Sequence, residues 1–243
     1  MEYITILISI LIFDLLLGGD NAVVIAMASR NLPPEQQKKA ILLGTAGAII
    51  LRATLTVAVV ILLNIPFLKA VGGLMLVYVA IKLVRREESG DNHRTAGSLA
   101  GAVAIIMLAD LIMSLDNILA VAAASRGHWG LIIAGLSISI PIIIFSSRII
   151  LYIMNRFPSI IYIGAGLLGW TAGKMIMEDQ KVILLTRQIP DILNDPVNLT
   201  IPIIVAALVV IYGYIINSRD IRRAKQVPLG AGYQSGRGGR APR

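Results

Sequence analysis

The sequence predicts an all-α membrane protein: a polytopic transmembrane helical bundle with seven spans, built from two inverted three-helix repeats plus one C-terminal helix. Three observations lead to this prediction. The 243-residue chain is 56% hydrophobic and 15% charged, whereas soluble domains have about 25% charged residues. Apolar runs long enough to cross a bilayer recur along the chain. The first half of the sequence is also repeated in the second half.

Each predicted span is an apolar stretch of about 20 residues, the length that crosses the hydrocarbon core of a bilayer. Proline residues mark several boundaries, because proline lacks an amide hydrogen and is best tolerated at helix starts. We expect no cleavable signal peptide, since the first apolar run is too long and has no basic leading segment. The predicted spans are residues 3–28, 39–62, 66–84, 98–124, 130–154, 159–177 and 200–217.

The repeat is most evident around four acidic residues. Residues 13–30 read FDLLLGGDNAVVIAMASR, and residues 109–126 read ADLIMSLDNILAVAAASR, 96 positions later. An ionisable group inside an apolar span costs a few kcal/mol or more, so each one is a functional-site hypothesis. The matched polar pairs are Asp14 with Asp110, Asp20 with Asp116, and Asn21 with Asn117.

The repeated unit contains three spans. Arg52 in the second span corresponds to Arg148 in the fifth at the same offset, and Lys82 in the third corresponds to Lys174 in the sixth at an offset of 92. A unit with an odd number of spans crosses the membrane in opposite senses in its two copies, so the halves are predicted to be inverted. Inverted repeats with broken helices are the architecture of many secondary transporters.

The distribution of Lys and Arg predicts the orientation, because cytoplasmic loops carry the excess of positive charge. With the N-terminus outside, the cytoplasmic segments hold most of the Lys and Arg residues outside the spans. We therefore expect a multi-pass protein of the cell membrane with a cytoplasmic C-terminus. The predicted organisation is a first three-span repeat at 1–84, a cytoplasmic loop at 85–97, a second repeat at 98–177, an extracytoplasmic connection at 178–199, the seventh span at 200–218 and a basic, disordered cytoplasmic tail at 219–243.

The polar residues of the two matched segments form a candidate cation site. On a straight helix Asp14 and Asp20 would point about 120° apart. The pair Gly18-Gly19 between them lets the helix open, and freed carbonyls can then act as ligands. In the second copy Ser114 replaces the first glycine, which stiffens the segment but can add a hydroxyl. The predicted metal ligands are Asp14, Asp20, Asn21, Asp110, Ser114, Asp116 and Asn117.

The chemistry of this donor set favours a hard divalent cation. Carboxylate, amide and hydroxyl oxygens suit Mn²⁺, Mg²⁺ and Ca²⁺. The chain has no cysteine, and both histidines lie in polar connections. If Arg52 and Arg148 balance the charge, four Asp leave a net charge of −2, which one divalent cation or two protons would neutralise. The alternative is a pair of buried Asp–Arg contacts that only specify helix packing.

The segments GGDNAVVIA, beginning at Gly18, and SLDNILAVA, beginning at Ser114, resemble the TerC family of integral membrane proteins. The similarity covers about residues 3–217. The resemblance implies manganese export in bacterial members and a distant kinship to other metal and lysine exporters with duplicated three-span units. It also implies that Asp20, Asn21, Asp116 and Asn117 are motif residues at the ion site, with Asp14 and Asp110 in support.

The predicted function is export of a divalent cation, with Mn²⁺ as the expected cargo, by alternating access with proton exchange. Two alternatives stay open: export of a cationic amino acid, and a membrane partner that metallates or assembles secreted proteins. We expect no enzyme activity, since the sequence has no nucleotide-binding loop and no nucleophile–histidine pair. The expected partners are the metal ion and the lipid bilayer, with no nucleic acid and no permanently bound cofactor; the sequence specifies no oligomeric state.

Overall fold

A computed structural model of the chain describes residues 2–62, 65–85, 98–125, 129–186 and 191–226. Every regular element in these ranges is an α-helix, which confirms the predicted all-α class. The helices are α1 Glu2–Leu17, α2 Gly19–Ser29, α3 Pro34–Leu62, α4 Leu68–Val84, α5 Leu99–Ser125, α6 Trp129–Arg156, α7 Ile160–Met177, α8 Gln180–Thr186 and α9 Asp191–Gln226.

Four helical segments within the described ranges are long and apolar enough to cross a membrane. They lie in α3, α6, α7 and α9, and each overlaps one of the predicted spans. Shorter apolar segments occur in α1 and α5, at Tyr3–Ile12 and Leu99–Leu115. The chain therefore has several apolar helices, as in a multi-pass membrane protein, while the count of seven spans stays a prediction. The four longer segments are Pro34–Thr56, Gly130–Arg156, Ile160–Met177 and Val197–Ser218.

The two matched acidic segments differ in backbone structure. A break at Gly18 separates α1 from α2, although the Gly18 amide still donates to the carbonyl oxygen of Asp14 at 2.8 Å. A Cβ at Gly18 would lie 2.5 Å from that same oxygen, so a larger residue would force the backbone apart. In the second copy Ser114 and Leu115 lie inside the unbroken α5. The glycine pair thus corresponds to a helix break that only the first copy has.

Helix packing places the matched segments at the centre of the bundle. Helices α1 and α2 pack on α6, α3 packs on α5, and α4 packs on α7, which also carries α9. Glycines allow close approach at several of these contacts, as is common between membrane helices. A Cβ on Gly44 would lie 2.8 Å from Ile106, and one on Gly135 would lie 2.6 Å from Ile10. Polar groups on α1, α2, α3 and α5 are consequently brought together.

The C-terminal region is more helical than predicted. The connection at 178–199 contains α8 and the first turns of α9. Helix α9 is 36 residues long and ends at Gln226, so the first part of the predicted disordered tail, residues 219–226, is helical. These residues include Arg, Ala, Lys and Gln, which are good helix formers and allow the membrane helix to continue. The rest of the predicted tail, 227–243, and most of the predicted loop, 86–97, lie outside the described residues.

Candidate cation site

A buried arginine joins acidic residues from both halves of the chain. Arg52 of α3 has a side chain that is 4% exposed. Its Nη1 donates to Oδ1 of Asp14 on α1, which is fully buried, and its Nη2 donates to Oδ1 of Asp110 on α5 at 2.6 Å. One guanidinium therefore bridges two carboxylates that the sequence repeat makes equivalent. We call Asp14, Arg52 and Asp110 the Arg52 cluster.

The Arg52 cluster is well paired but not neutral. The rigid fork of a guanidinium presents several N–H donors in one plane, which lets Arg52 serve two carboxylates at once. With both acids ionised, the three side chains carry a net charge of −1. Removing one partner of a buried ion pair costs about 3–5 kcal/mol, because the remaining charge is left without compensation. Asp14 and Asp110 thus need a positive charge between them.

Asp20 and Asn21 occupy the first turn of α2, directly after the helix break. The hydroxyl of Thr171 on α7 donates to Oδ2 of Asp20 at 3.2 Å. Oδ1 of Asp20 and both amide atoms of Asn21 are buried without a hydrogen-bond partner among the described residues. Each such group costs about 1–3 kcal/mol, and most buried polar groups in proteins are paired. Carboxylate and amide groups left unpaired beside a helix break are typical of a ligand site.

A small cavity adjoins the Arg52 cluster. It has a volume of about 20 Å³ and lies between α2, α3, α5 and α6. Its wall is mainly apolar, with polar groups from all four helices. A cavity of this size has room for about one water molecule. We call it the central cavity, and its polar lining residues are Asn21, Thr45, Arg52, Asp110 and Ser139.

Comparison with known proteins identifies the family. Residues 1–221 match the Integral membrane protein TerC family. The chain belongs to this family. It is 44% identical over 210 residues to the membrane protein YjbE of Bacillus subtilis, covering 86% of this chain and 94% of YjbE.

More distant relatives of this TerC-family protein match over a smaller part of the chain. The membrane protein YceF of Bacillus subtilis is 31% identical, over 69% of this chain and 68% of YceF. The inner membrane protein YgdQ of Escherichia coli is 28% identical, over 69% of this chain and 78% of YgdQ. No solved structure matches the chain. The resemblance inferred from the doubled Asp-Asn motif is therefore confirmed at the level of the family.

Among the predicted site residues that the structure of this TerC-family chain describes, Ser114 makes its hydrogen bond within its own helix. Ser114 is fully buried, and its hydroxyl donates to the carbonyl oxygen of Leu111 in the same helix at 3.0 Å, which engages it within α5. Asp116 and Asn117 belong to α5, but their side chains lie outside the described part of the structure. Within the described ranges, no three acidic or histidine side chains come together as a metal site.

The predicted charge-balancing role of Arg148 stays a prediction, because the described residues show no contact between Arg148 and the Arg52 cluster. Arg148 is exposed on α6, and it has no ion pair with any described residue. Arg148 lies eight residues before Arg156, which is about 12 Å along the helix. We predict the membrane interface near Arg156, and the long side chain of Arg148 can extend in that direction. Among the described residues, Arg52 supplies the positive charge that pairs with Asp14 and Asp110.

Sequence reasoning missed two threonines of the site. Thr171 contacts Asp20 from α7, and Thr45 lines the central cavity with a hydroxyl that has no partner in the described chain. A signal for Thr171 was present: at the offset of 92 its counterpart is the apolar Val79. At this position of the repeat, the second copy has a hydroxyl group and the first copy has an apolar side chain.

Proposed function

We propose that this TerC-family chain is a membrane transporter that exports a divalent metal cation, with Mn²⁺ as the expected cargo, by alternating access with exchange of protons. The observation that carries the proposal is the position of Arg52 between Asp14 and Asp110. A buried place that holds a positive charge between carboxylates of both halves is suited to a cation.

Arg52 and a bound cation would compete for the same place. At about 4 Å a divalent cation and a guanidinium repel each other by about 8 kcal/mol at an effective dielectric constant of about 20. Both cannot lie between Asp14 and Asp110, so Arg52 withdraws when the ion binds. The two carboxylates then carry a charge of −2, which a divalent cation neutralises. With Arg52 between Asp14 and Asp110, the guanidinium takes the place of the positively charged cargo.

The available donor atoms favour a hard cation. Oδ2 of Asp14, Oδ1 of Asp20 and the Asn21 amide oxygen are buried without a partner among the described residues. Oxygen donors of this kind suit Mn²⁺, Mg²⁺ and Ca²⁺. When the ion leaves and Arg52 returns, the Arg52 cluster carries a net charge of −1. Protonation of one carboxylate then restores neutrality and couples metal export to proton entry.

The packing pattern supports two related halves. In the predicted repeat, α1 with α2 corresponds to α5, α3 corresponds to α6, and α4 corresponds to α7. The packing of α1 and α2 on α6 therefore corresponds to the packing of α5 on α3, and the pair α4–α7 corresponds to itself. Both kinds of contact are present. We therefore propose seven spans, in which α1 with α2, then α3 and α4, form one repeat, and α5, α6 and α7 form its inverted copy. Such repeats move against each other around a midplane site in many transporters.

Transport by purified protein in lipid vesicles tests the proposal. Molecules inserted inside-out should carry Mn²⁺ into the lumen, measured with a trapped metal-sensitive dye, and an acidic lumen should accelerate uptake. Asp14→Asn and Asp110→Asn should each abolish uptake, because the pair of negative charges is lost. Glu35→Gln is the matched control, since Glu35 is exposed and forms an ion pair with the exposed Lys38. Wild-type uptake no faster than that of empty vesicles would refute metal transport.

One observation favours a second candidate cargo. The group that lies between Asp14 and Asp110 is itself a guanidinium, so the side chain of a cationic amino acid has the right charge and hydrogen-bonding groups. In the same vesicles this alternative predicts uptake of labelled arginine or lysine that requires both acids and needs no metal. Absence of flux for metal and amino acid alike would instead favour a role as a membrane partner of other proteins.

A further inference from the structure

The central cavity is lined by three residues that carry buried polar atoms without a hydrogen-bond partner in the described chain. Asn21 is 2% exposed and Thr45 is 3% exposed. The Asn21 amide, the Thr45 hydroxyl and the Nε of Arg52 have no hydrogen-bond partner among the described residues. All three residues line the same cavity. Two helices, α2 with Asn21 and α3 with Thr45 and Arg52, thus direct unpaired groups to one small space.

The size and chemistry of the central cavity fit a single water molecule. Cavities that stay dry are apolar, whereas a buried water is typically held by about three hydrogen bonds. Here Nε of Arg52 can donate to a water oxygen, and the Asn21 amide oxygen can accept from it. The Thr45 hydroxyl can do either, since it has one donor and two acceptor positions. The volume of about 20 Å³ leaves room for little else.

The central cavity also borders the place proposed for the cation. Arg52 and Asp110 belong both to the cavity wall and to the Arg52 cluster. A cation that replaces the guanidinium would therefore lie beside the cavity. Mg²⁺, which shares the oxygen-ligand preference of Mn²⁺, gives up its water ligands reluctantly and is usually bound with several of them retained. A water in the central cavity is placed to be such a retained ligand.

We propose that the central cavity is a water-binding subsite of the cation site, and that Thr45 is a positioning residue that holds one water as a ligand of the transported cation. The inference rests on the proposed function, because it assigns the water to the same cargo. Asn21 supplies a second hydrogen bond from α2. The subsite favours cations that accept a water ligand at this position.

Substitution of Thr45 tests the inference. Thr45→Val keeps the shape of the side chain and removes its hydroxyl, whereas Thr45→Ser keeps the hydroxyl. Thr54→Val is the control on the same helix, because the Thr54 hydroxyl is exposed and donates to the carbonyl oxygen of Ile50. Pulsed electron paramagnetic resonance in D₂O counts the exchangeable water ligands of protein-bound Mn²⁺, and vesicle uptake gives KM and maximal rate.

We expect Thr45→Val to lose one water ligand and to raise the KM for Mn²⁺ about five- to tenfold, the change produced by one lost hydrogen bond. The maximal rate should change little, Thr45→Ser should restore both values, and Thr54→Val should match the wild type. Thr45→Ala offers a second removal of the hydroxyl should the valine variant fold poorly. If the valine and alanine variants have the same number of water ligands and the same KM as the wild type, the inference is overturned. The proposed function still holds in that case, provided that the wild-type protein transports Mn²⁺. Absence of Mn²⁺ binding by the wild type overturns both.

Discussion

Replacement of Arg52 by glutamine separates the stabilising role of the guanidinium from its role as a competitor of the cargo. The variant leaves Asp14 and Asp110 facing each other without a positive charge. Loss of one partner of a buried ion pair costs about 3–5 kcal/mol, which is a large part of the total of about 5–15 kcal/mol typical of folded proteins. We therefore expect Arg52→Gln to unfold at a distinctly lower temperature than the wild type in the absence of metal.

Added Mn²⁺ should reverse much of this loss. A ligand at 100 times its dissociation constant stabilises the folded state by about 2.7 kcal/mol. In Arg52→Gln the cation enters a place that is already vacated, whereas in the wild type it must first displace the guanidinium. The rise in unfolding temperature caused by Mn²⁺ should thus be larger in the variant than in the wild type.

Thermal unfolding followed by the fluorescence of the two tryptophans measures both effects in one experiment. Arg148→Gln is the matched control, because Arg148 is the repeat counterpart of Arg52 but is exposed. Surface substitutions usually change stability by about 0.5 kcal/mol or less. Equal unfolding temperatures for the two variants without metal, or equal Mn²⁺ shifts in the wild type and Arg52→Gln, would refute the reasoning about the Arg52 cluster.

Two further substitutions, each with a matched control, probe the helix break at Gly18 and the contact between Thr171 and Asp20. Gly18→Ala should destabilise the protein and slow Mn²⁺ uptake, because the added Cβ would lie 2.5 Å from the carbonyl oxygen of Asp14. Gly19→Ala is the control and should be close to neutral, because its Cβ would meet nothing within 4 Å. Equal unfolding temperatures of the two variants would contradict this expectation. Thr171→Val removes the hydrogen bond to Asp20 and should raise the KM for Mn²⁺ more than tenfold, because a bond to a charged group contributes about 1.5–3 kcal/mol. Thr171→Ser should retain the wild-type KM. An unchanged KM in the valine variant would exclude Thr171 from the site.

The sequence was sufficient for properties that depend on local chemistry. Composition and run length identify a helical membrane chain, since backbone groups in lipid must be satisfied within the segment. The doubled Asp-Asn motif identifies the family. The helix break was predicted from the pair Gly18-Gly19, because the permissive backbone of glycine is a local property.

Pairing between distant residues was decided by the tertiary structure. Arg52 lies 38 residues from Asp14 and 58 from Asp110, and helical periodicity shows only which face a residue occupies, not which helix it meets. For the same reason the sequence treated Arg52 and Arg148 as equivalent, although one is buried between two acids and the other is exposed. The hydroxyl of Ser114 donates to the carbonyl oxygen of Leu111 in its own helix, as serine hydroxyls in helices often do. This local hydrogen bond competes with the predicted role of Ser114 as a metal ligand.

What the sequence by itself determined is the membrane class, the family and the candidate residues Asp14, Asn21, Arg52 and Asp110, because the high cost of charged and amide groups in lipid makes them visible in an apolar run. What only the tertiary structure decided is the grouping of these residues: one arginine between two acids, Thr171 beside Asp20 and a polar cavity lined by Thr45. The physical reason is that a hydrogen bond or an ion pair acts over a few ångströms, and only the packing of α2, α3, α5, α6 and α7 sets which groups come within that distance.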